Sequence, residues 1–285
     1  MGLLVLKQGG VKMRNGWTKV LAIFLLTVGA IVWFIPFVWM ILGFFKTSAE
    51  LTSSVQNLLP KSWSLDNLRR LFDRAPYGRF YLNSLVVSFA STFGALLTSS
   101  IAGYIFAKKQ FYGREVIFLG ILSMMMIPFT VVLIPLFVVA TRLGLVNSLW
   151  AVILPFVVHP LGIFLMRQHI ETIPNELIEA AIVDGASEFW IYSKVIIPLS
   201  KSSLSALAIF IFMFSWNDYL WPLVVLQEQA KLTLPLGIAA LQQERWTSFD
   251  LTVTAAAITI VPVMLVFLIA QRQIIEGMAL TGMKG

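Results

Sequence analysis

The chain has 285 residues, of which 58% are hydrophobic and 12% are charged, and its mean hydropathy is +0.85. Soluble globular proteins carry about a quarter charged residues, so this composition excludes them and predicts an integral membrane protein. The net charge of +7 is typical of Lys and Arg in loops that flank a membrane. The absence of cysteine excludes disulfides, thiolate catalysis and cysteine metal sites, and two isolated histidines do not indicate a metal centre.

Six long apolar segments predict six transmembrane helices. The first follows a basic arm at residues 1–19 and is long enough to cross about 30 Å of hydrocarbon. It is too long for a signal-peptide core, and no small-residue cleavage pattern follows it, so we expect it to remain uncleaved. We therefore predict an all-α integral membrane protein with one domain over residues 1–285. The segments are residues 20–45, 81–107, 116–141, 143–166, 202–227 and 251–271.

The charges of the short loops predict the orientation. The loop after the second segment contains Lys108, Lys109 and Arg114, whereas the opposite turn has Arg142 alone. By the positive-inside rule, both termini, the Lys108 loop and residues 167–201 are expected in the cytoplasm. The long loop after the first segment opposes this rule, because it has six basic and three acidic residues on the outer side. Its apolar spacing predicts an amphipathic helix through Leu65, Leu68, Leu71 and Phe72.

Small residues follow one face of the second segment, which is typical of closely packed membrane helices. Their hydroxyls could alternatively line a hydrophilic pathway. These residues are Ser88, Ser91, Thr92, Ala95, Thr98, Ser99 and Ala102.

A polar island, residues 179–198, interrupts the apolar chain and is expected to protrude from the bilayer, and its helical pattern begins at residue 174. Pro174 suits a first helical position, and Glu176 and Glu179 then lie near the positive end of the helix dipole. Gly185 is expected to end this helix in a left-handed turn. A second helix over residues 187–197 would return the chain to the membrane, where Pro198 ends it. The pattern predicts a helix, a glycine elbow and a second helix that meets a partner outside the bilayer.

A second cluster, Trp216, Asn217, Asp218 and Tyr219, lies within an apolar segment. An ionisable residue in such a segment is a candidate for function, and aromatic faces beside hydrogen-bonding groups suit a sugar ring. Pro222 and the polar residues after it favour the alternative that the span ends here and the aromatic residues lie at the membrane interface. The sequence is compatible with both a role in a sugar pathway and a position at the membrane interface.

The polar island resembles the EAA motif of bacterial ABC-importer permeases. Five segments, one of which contains this motif, are similar to permeases of the carbohydrate-uptake group, in particular the second permease of the maltose system: NSLVVS, AGYIFAKKQFYGR, IPNELIEAAIVDGAS, WNDYLWPL and QRQIIEGMALTGMKG. The positions that match the EAA motif are Glu179, Ala180, Ala181, Asp184, Gly185, Ala186, Ile197 and Pro198.

This resemblance implies a type I ABC-importer permease fold in which residues 167–201 form a cytoplasmic loop with a coupling helix. It implies a second permease, two ATPase subunits that bind ATP and Mg, and an extracytoplasmic solute-binding protein. Glu179 would be the acidic ATPase contact, Ala180 and Ala181 the close-packing surface, and Gly185 the elbow. The tail, residues 271–285, would also contact the ATPases. The matching tail positions are Gln271, Arg272, Gly277 and Lys284.

The expected function is therefore the membrane half-channel of an ATP-driven importer for a sugar or oligosaccharide. The chain has no G-x-x-x-x-G-K-[ST] phosphate loop, in agreement with a separate ATPase and with no cofactor in this chain. Glycerol phosphate or another polyol derivative is the alternative substrate. A proton-coupled carrier should show repeats with matched broken helices, and an intramembrane enzyme needs convergent catalytic groups; the sequence shows neither pattern.

Overall fold

A computed structural model describes residues 16–53, 58–243 and 249–282, with side chains described up to residue 268 in the last range. No strand occurs among these residues. A π-helical turn over Tyr192–Ile196 joins α10 to α11, and a 3-10 turn lies at Gln229–Lys231. The α-helices are α1 Gly16–Gly43, α2 Ser48–Ser53, α3 Asp66–Arg74, α4 Tyr77–Lys108, α5 Arg114–Met124, α6 Phe129–Arg142, α7 Leu149–Val157, α8 Pro160–Glu171, α9 Asn175–Val183, α10 Glu188–Ile191, α11 Ile197–Leu199, α12 Lys201–Trp216, α13 Leu220–Val225, α14 Leu234–Gln243 and α15 Phe249–Gly282.

Four helices of the described chain are long and apolar enough to cross a membrane: Lys19–Gly43, Tyr77–Lys108, Leu149–Glu171 and Phe249–Leu268. Two bent pairs raise the number to six if each pair is one span. One pair is α5 with α6, bent by 100°, and the other is Glu188–Leu199 with α12, bent by 77°. Pro128 explains the first bend, because a proline removes a backbone donor and disfavours helix in the preceding residue. The described chain therefore has four spans, or six if each bent pair is one span. The second pair includes residues 188–199, which were predicted to lie outside the bilayer in the polar island.

The helix α4 is the centre of the bundle and packs against α7, α8 and α12. A Cβ atom at Gly103 would lie 2.6 Å from the Cβ of Met166, and one at Gly162 would lie 2.3 Å from the hydroxyl of Ser99. Only glycine permits this approach of α4 to α8, as expected for membrane helices, which associate by close contact of small residues. The buried small residues of the α4 face include Ser88, Ser91, Thr92, Ala95 and Ser99.

The loop between the first two spans contains the predicted amphipathic helix, α3. Leu71 on α3 is fully buried, and Arg70 forms an ion pair of 2.8 Å with the buried carboxylate of Asp250 at the start of α15. The Tyr77 hydroxyl donates to the Ala255 carbonyl at 2.8 Å, which attaches the start of α4 to the same helix. By contrast, no residue in the most apolar 18-residue stretch of α1 is buried against the rest of the described chain.

Candidate functional site

The first helix and the glycine elbow of the polar island form as predicted, with Pro174 as the N-cap of α9, and the elbow is a Schellman motif. The second predicted helix is instead divided into α10, the π-helical turn and α11, and Pro198 lies within α11 and does not end it. Gly185 has φ +80°, which glycine adopts without steric cost. The Ala186 amide donates to the Ala181 carbonyl at 2.9 Å and the Gly185 amide to the Ile182 carbonyl at 3.0 Å. These two bonds satisfy the last carbonyls of α9 and turn the chain sharply. After the elbow, the Ser187 hydroxyl accepts from the Trp190 amide at 3.3 Å and starts α10.

One face of the island is packed into the protein. Ile178 and Ala181 of α9 join a buried cluster with Met166 and Ile170 of α8 and with Ile191 of α10. Because α8, α9 and α10 share this cluster, the island is a folded extension of the membrane helices. Ala181 is thus buried inside this chain, whereas its neighbour Ala180 is exposed.

The other face of the island is exposed and combines apolar with acidic side chains. Val183 is 87% exposed and Phe189 is 77% exposed. Glu179 and Asp184 are exposed beside them. A groove of about 720 Å³ crosses this face. A contiguous apolar surface outside the bilayer is typical of a protein–protein contact. The groove is lined by Leu177, Ala180, Ala181, Asp184, Gly185, Ala186, Ser187, Trp190 and Val195.

Side chains at the end of α4 hold the island in place. The Tyr104 hydroxyl donates to Glu188 at 2.9 Å, and the Lys109 ammonium forms a short ion pair with the same carboxylate. Lys108 donates to the Ile173 carbonyl and to the Asn175 side chain, just before and at the start of α9. The hydrogen bond from Lys109, followed by that from Tyr104, lowers the pKa of the Glu188 carboxyl, so Glu188 is an anion at neutral pH.

A second polar contact near the island was not predicted. Arg167 on α8 is buried, and its guanidinium donates to both carboxylate oxygens of Glu115 at 3.0 and 3.1 Å. Its Cζ lies 3.9 Å from the ring centroid of Phe118. This arrangement attaches α5 to α8, which leads directly into the island. In the sequence, the contact is indicated only by an isolated arginine after an apolar run. That arginine does not identify Glu115, which lies 52 residues away along the chain.

The second predicted cluster divides into buried and exposed members. Trp216 is 1% exposed, with its ring stacked on Phe212 and edge-on to Tyr81. Asn217 and Tyr219 are exposed. Asp218 is half-buried, and its carboxylate accepts from the Trp221 amide at 3.5 Å. The cluster is the turn that ends α12 and starts α13, and its role in a substrate pathway stays a prediction.

The tail residues that were predicted to contact the ATPases lie only partly within the described chain. The backbone of α15 continues to Gly282 and so includes Gln271, Arg272 and Gly277. The side chains of these residues, and the whole of Lys284, lie outside the described part. The predicted ATPase contact of the tail stays a prediction.

A bundle with broken spans and a packed, protruding helical island is the architecture of an importer's membrane subunit. The family model for the binding-protein-dependent transport system inner membrane component matches residues 95–279. The chain belongs to this family of ABC transporter permeases, which are transport components and not enzymes.

Individual relatives agree with this assignment. The chain is 39% identical to the arabinooligosaccharides transport system permease protein AraQ of Halalkalibacterium halodurans, over 92% of this chain and 96% of the relative. It is 32% identical to the lactose transport system permease protein LacG of Rhizobium radiobacter, over 89% and 92% of the two chains. The fold matches a chain of a bacterial ABC transporter involved in the import of the acidic polysaccharide alginate, with TM-score 0.79, 24% identity and coverage of 90% and 95%.

Proposed function

We propose that this chain forms half of the translocation path of an oligosaccharide importer and that its polar island receives force from a separate ATPase. The observation that carries this proposal is the exposed apolar and acidic face of α9 and α10 on a base that is buried among the membrane helices. Such a surface is stable in water only with a partner, and a rigid base transmits the partner's movement to the spans.

Membership of the family supports the assembly that we propose. A second permease would complete the path, two ATPase subunits would bind ATP and Mg, and an extracytoplasmic binding protein would deliver the substrate. The island and the Lys108 loop lie at one end of α4, and the turn near Arg142 lies at the other. We place the island end and both termini in the cytoplasm of a bacterial cell, in accordance with the basic residues Lys108, Lys109 and Arg114.

An arabino-oligosaccharide is the first substrate to test, because the relative AraQ carries that name at 39% identity. A negatively charged substrate such as glycerol phosphate is the second candidate. The observation that favours it is the row of exposed basic side chains around α3, among them Lys61, Arg69 and Arg79. Uptake of arabinotriose and of glycerol phosphate by the same vesicles separates the two.

The test of ATPase docking is copurification from the native membrane. We expect the tagged chain to bring a second permease and an ATPase with it. Glu179→Lys with Gly185→Trp should lose the ATPase alone, because the variant reverses a charge and fills the elbow of the docking face.

The matched control is Gly144→Trp. Gly144 also has a positive φ, of +66°, and a Cβ there would also meet nothing within 4 Å. A tryptophan at either position therefore meets similar backbone strain, but only Gly185 lies on the island. Loss of the ATPase in both variants would indicate general damage, and its retention in both would contradict docking at the island.

A further inference from the structure

The span formed by α7 and α8 is interrupted near its middle. Val158 and His159, between Val157 and Pro160, have extended backbone, with φ, ψ of −107°, 107° and −111°, 105°. The hydroxyl of Thr98 donates to the Val157 carbonyl that the interruption exposes. Non-helical backbone at membrane depth is tolerated only inside protein or beside water. Val158 is exposed in this chain, so we expect the interruption to face water or a neighbouring subunit and not lipid.

The side chain at this interruption is a histidine that contacts two aromatic rings. The centroids of Phe210 and Phe214 on α12 each lie 6.2 Å from that of His159, and both rings are nearly perpendicular to the imidazole. The Nδ1 atom of His159 is buried and has no hydrogen-bond partner among the described residues. Polar and ionisable side chains within the membrane are costly against lipid and generally face a bundle interior or a water-filled cavity.

The contacting rings belong to an exposed face of α12. Phe210 and Phe214 are one turn apart and are 47% and 48% exposed, and Asn217 continues the same face on the next turn. The aromatic strip consists of these three residues and His159. The exposed face of α4 between residues 82 and 105 differs, because it presents only apolar side chains. They include Leu82, Val86, Phe93 and Leu97.

We propose that the aromatic strip is a wall of the translocation pathway on which a sugar ring slides. This inference rests on the proposed function and names the surface that the substrate touches. Aromatic rings match the apolar faces of a sugar, whereas an amide and an imidazole match its hydroxyl edges. Contacts of this kind are weak individually, so they guide a sugar without holding it.

The absence of cysteine allows a direct test in the whole importer in lipid vesicles. Phe210→Cys, Phe214→Cys and Asn217→Cys are compared with Phe93→Cys on the apolar face of α4. A charged methanethiosulfonate reagent needs a hydrated thiolate, so we expect the strip positions to react at least about tenfold faster than position 93. Mass measurement of this chain excludes signals from cysteines of the other subunits.

The sugar contact is tested by protection and by transport. Arabinotriose with the binding protein and ATP should slow the reaction of Phe214→Cys. Phe214→Leu should lower kcat/KM for uptake by about three- to tenfold, the value of one aromatic contact, while Phe93→Leu changes it little. Normal binding of the ATPase to both Leu variants shows that the importer is assembled.

Two results overturn the inference. If the strip positions react as slowly as Phe93→Cys, the strip does not line an aqueous path, whatever the chain transports. If they react quickly, but arabinotriose does not slow their reaction and its uptake does not depend on Phe214, the strip is hydrated and does not contact sugar. Failure of the proposed function is distinct, because it appears as an absent ATPase or as no uptake by the unaltered importer.

Discussion

The two ends of α4 are attached to the rest of the protein by different chemistry. At its beginning, Asn83 donates to the carbonyls of Ala230 and Leu232, each at 3.0 Å. The hydroxyl of Ser84 accepts from the Leu234 amide at 2.7 Å. At its end, Tyr104, Lys108 and Lys109 contact the island mainly through charged, partly exposed groups.

The difference in chemistry indicates which end of α4 can move. A neutral hydrogen bond to a partly buried backbone carbonyl has few alternative partners, so breaking it leaves a poorly satisfied polar group. Exposed charged groups can exchange a protein partner for water at small cost. We therefore interpret the Asn83 end as a fixed frame. At the other end the island keeps its packed apolar base, and only its polar contacts with the end of α4 form a joint that can break and re-form during transport.

The largest effect is expected at the fixed end. Asn83→Leu removes both donors and leaves two carbonyls unsatisfied, which should lower the free energy of unfolding by about 2 to 4 kcal/mol. The apparent Tm of the purified importer measures this loss. Leu82→Ala, at the neighbouring exposed position, is the control and should change Tm little. An unchanged Tm for Asn83→Leu would contradict the frame.

An intermediate effect is expected at the joint. Glu188→Ala removes the acceptor shared by Tyr104 and Lys109, a contribution of about 1 kcal/mol, and should lower the sugar imported per ATP by about fivefold. ATPase binding should persist, because the exposed face of the island is unchanged. The ratio of uptake to ATP hydrolysis in vesicles is the measurement.

Two further variants identify the cause of that effect. Lys109→Met should add little to Glu188→Ala, since the two side chains form one contact. Glu188→Gln keeps an acceptor for Tyr104 and should lie between the native chain and Glu188→Ala. Fully additive losses for residues 109 and 188 would show that the contact does not carry the coupling.

The smallest effect is expected from a charge at the fixed end. Lys231 and Glu228 form an exposed pair of 3.1 Å, and Glu228 also accepts from Asn147 at 2.7 Å. Glu228→Gln keeps the acceptor and removes the charge of an exposed group, so the apparent Tm should change little. A fall in Tm as large as that of Asn83→Leu would mean that charge also holds this end.

Local features of the fold were predictable because neighbouring residues determine them. Gly185 after a short amphipathic run predicts the left-handed elbow, and apolar length predicts the spans. The EAA pattern identified the family for the same reason, since its residues are close in the chain. The interruption at His159 was missed, because Pro155 and Pro160 indicate a kink without showing whether the helix bends or breaks.

Contacts between distant residues depended on the tertiary fold. Tyr104 meets Glu188 across 84 residues, and Arg167 meets Glu115 across 52. A charged side chain near the membrane needs a partner of opposite charge, but the sequence allows many different pairs. The packing of α4 against α8, possible because Gly103 and Gly162 lack side chains, selects these pairs. The packing of α12 against α4 likewise separates the buried Trp216, which contacts Tyr81, from the exposed Asn217, a difference that adjacent positions in a sequence cannot reveal.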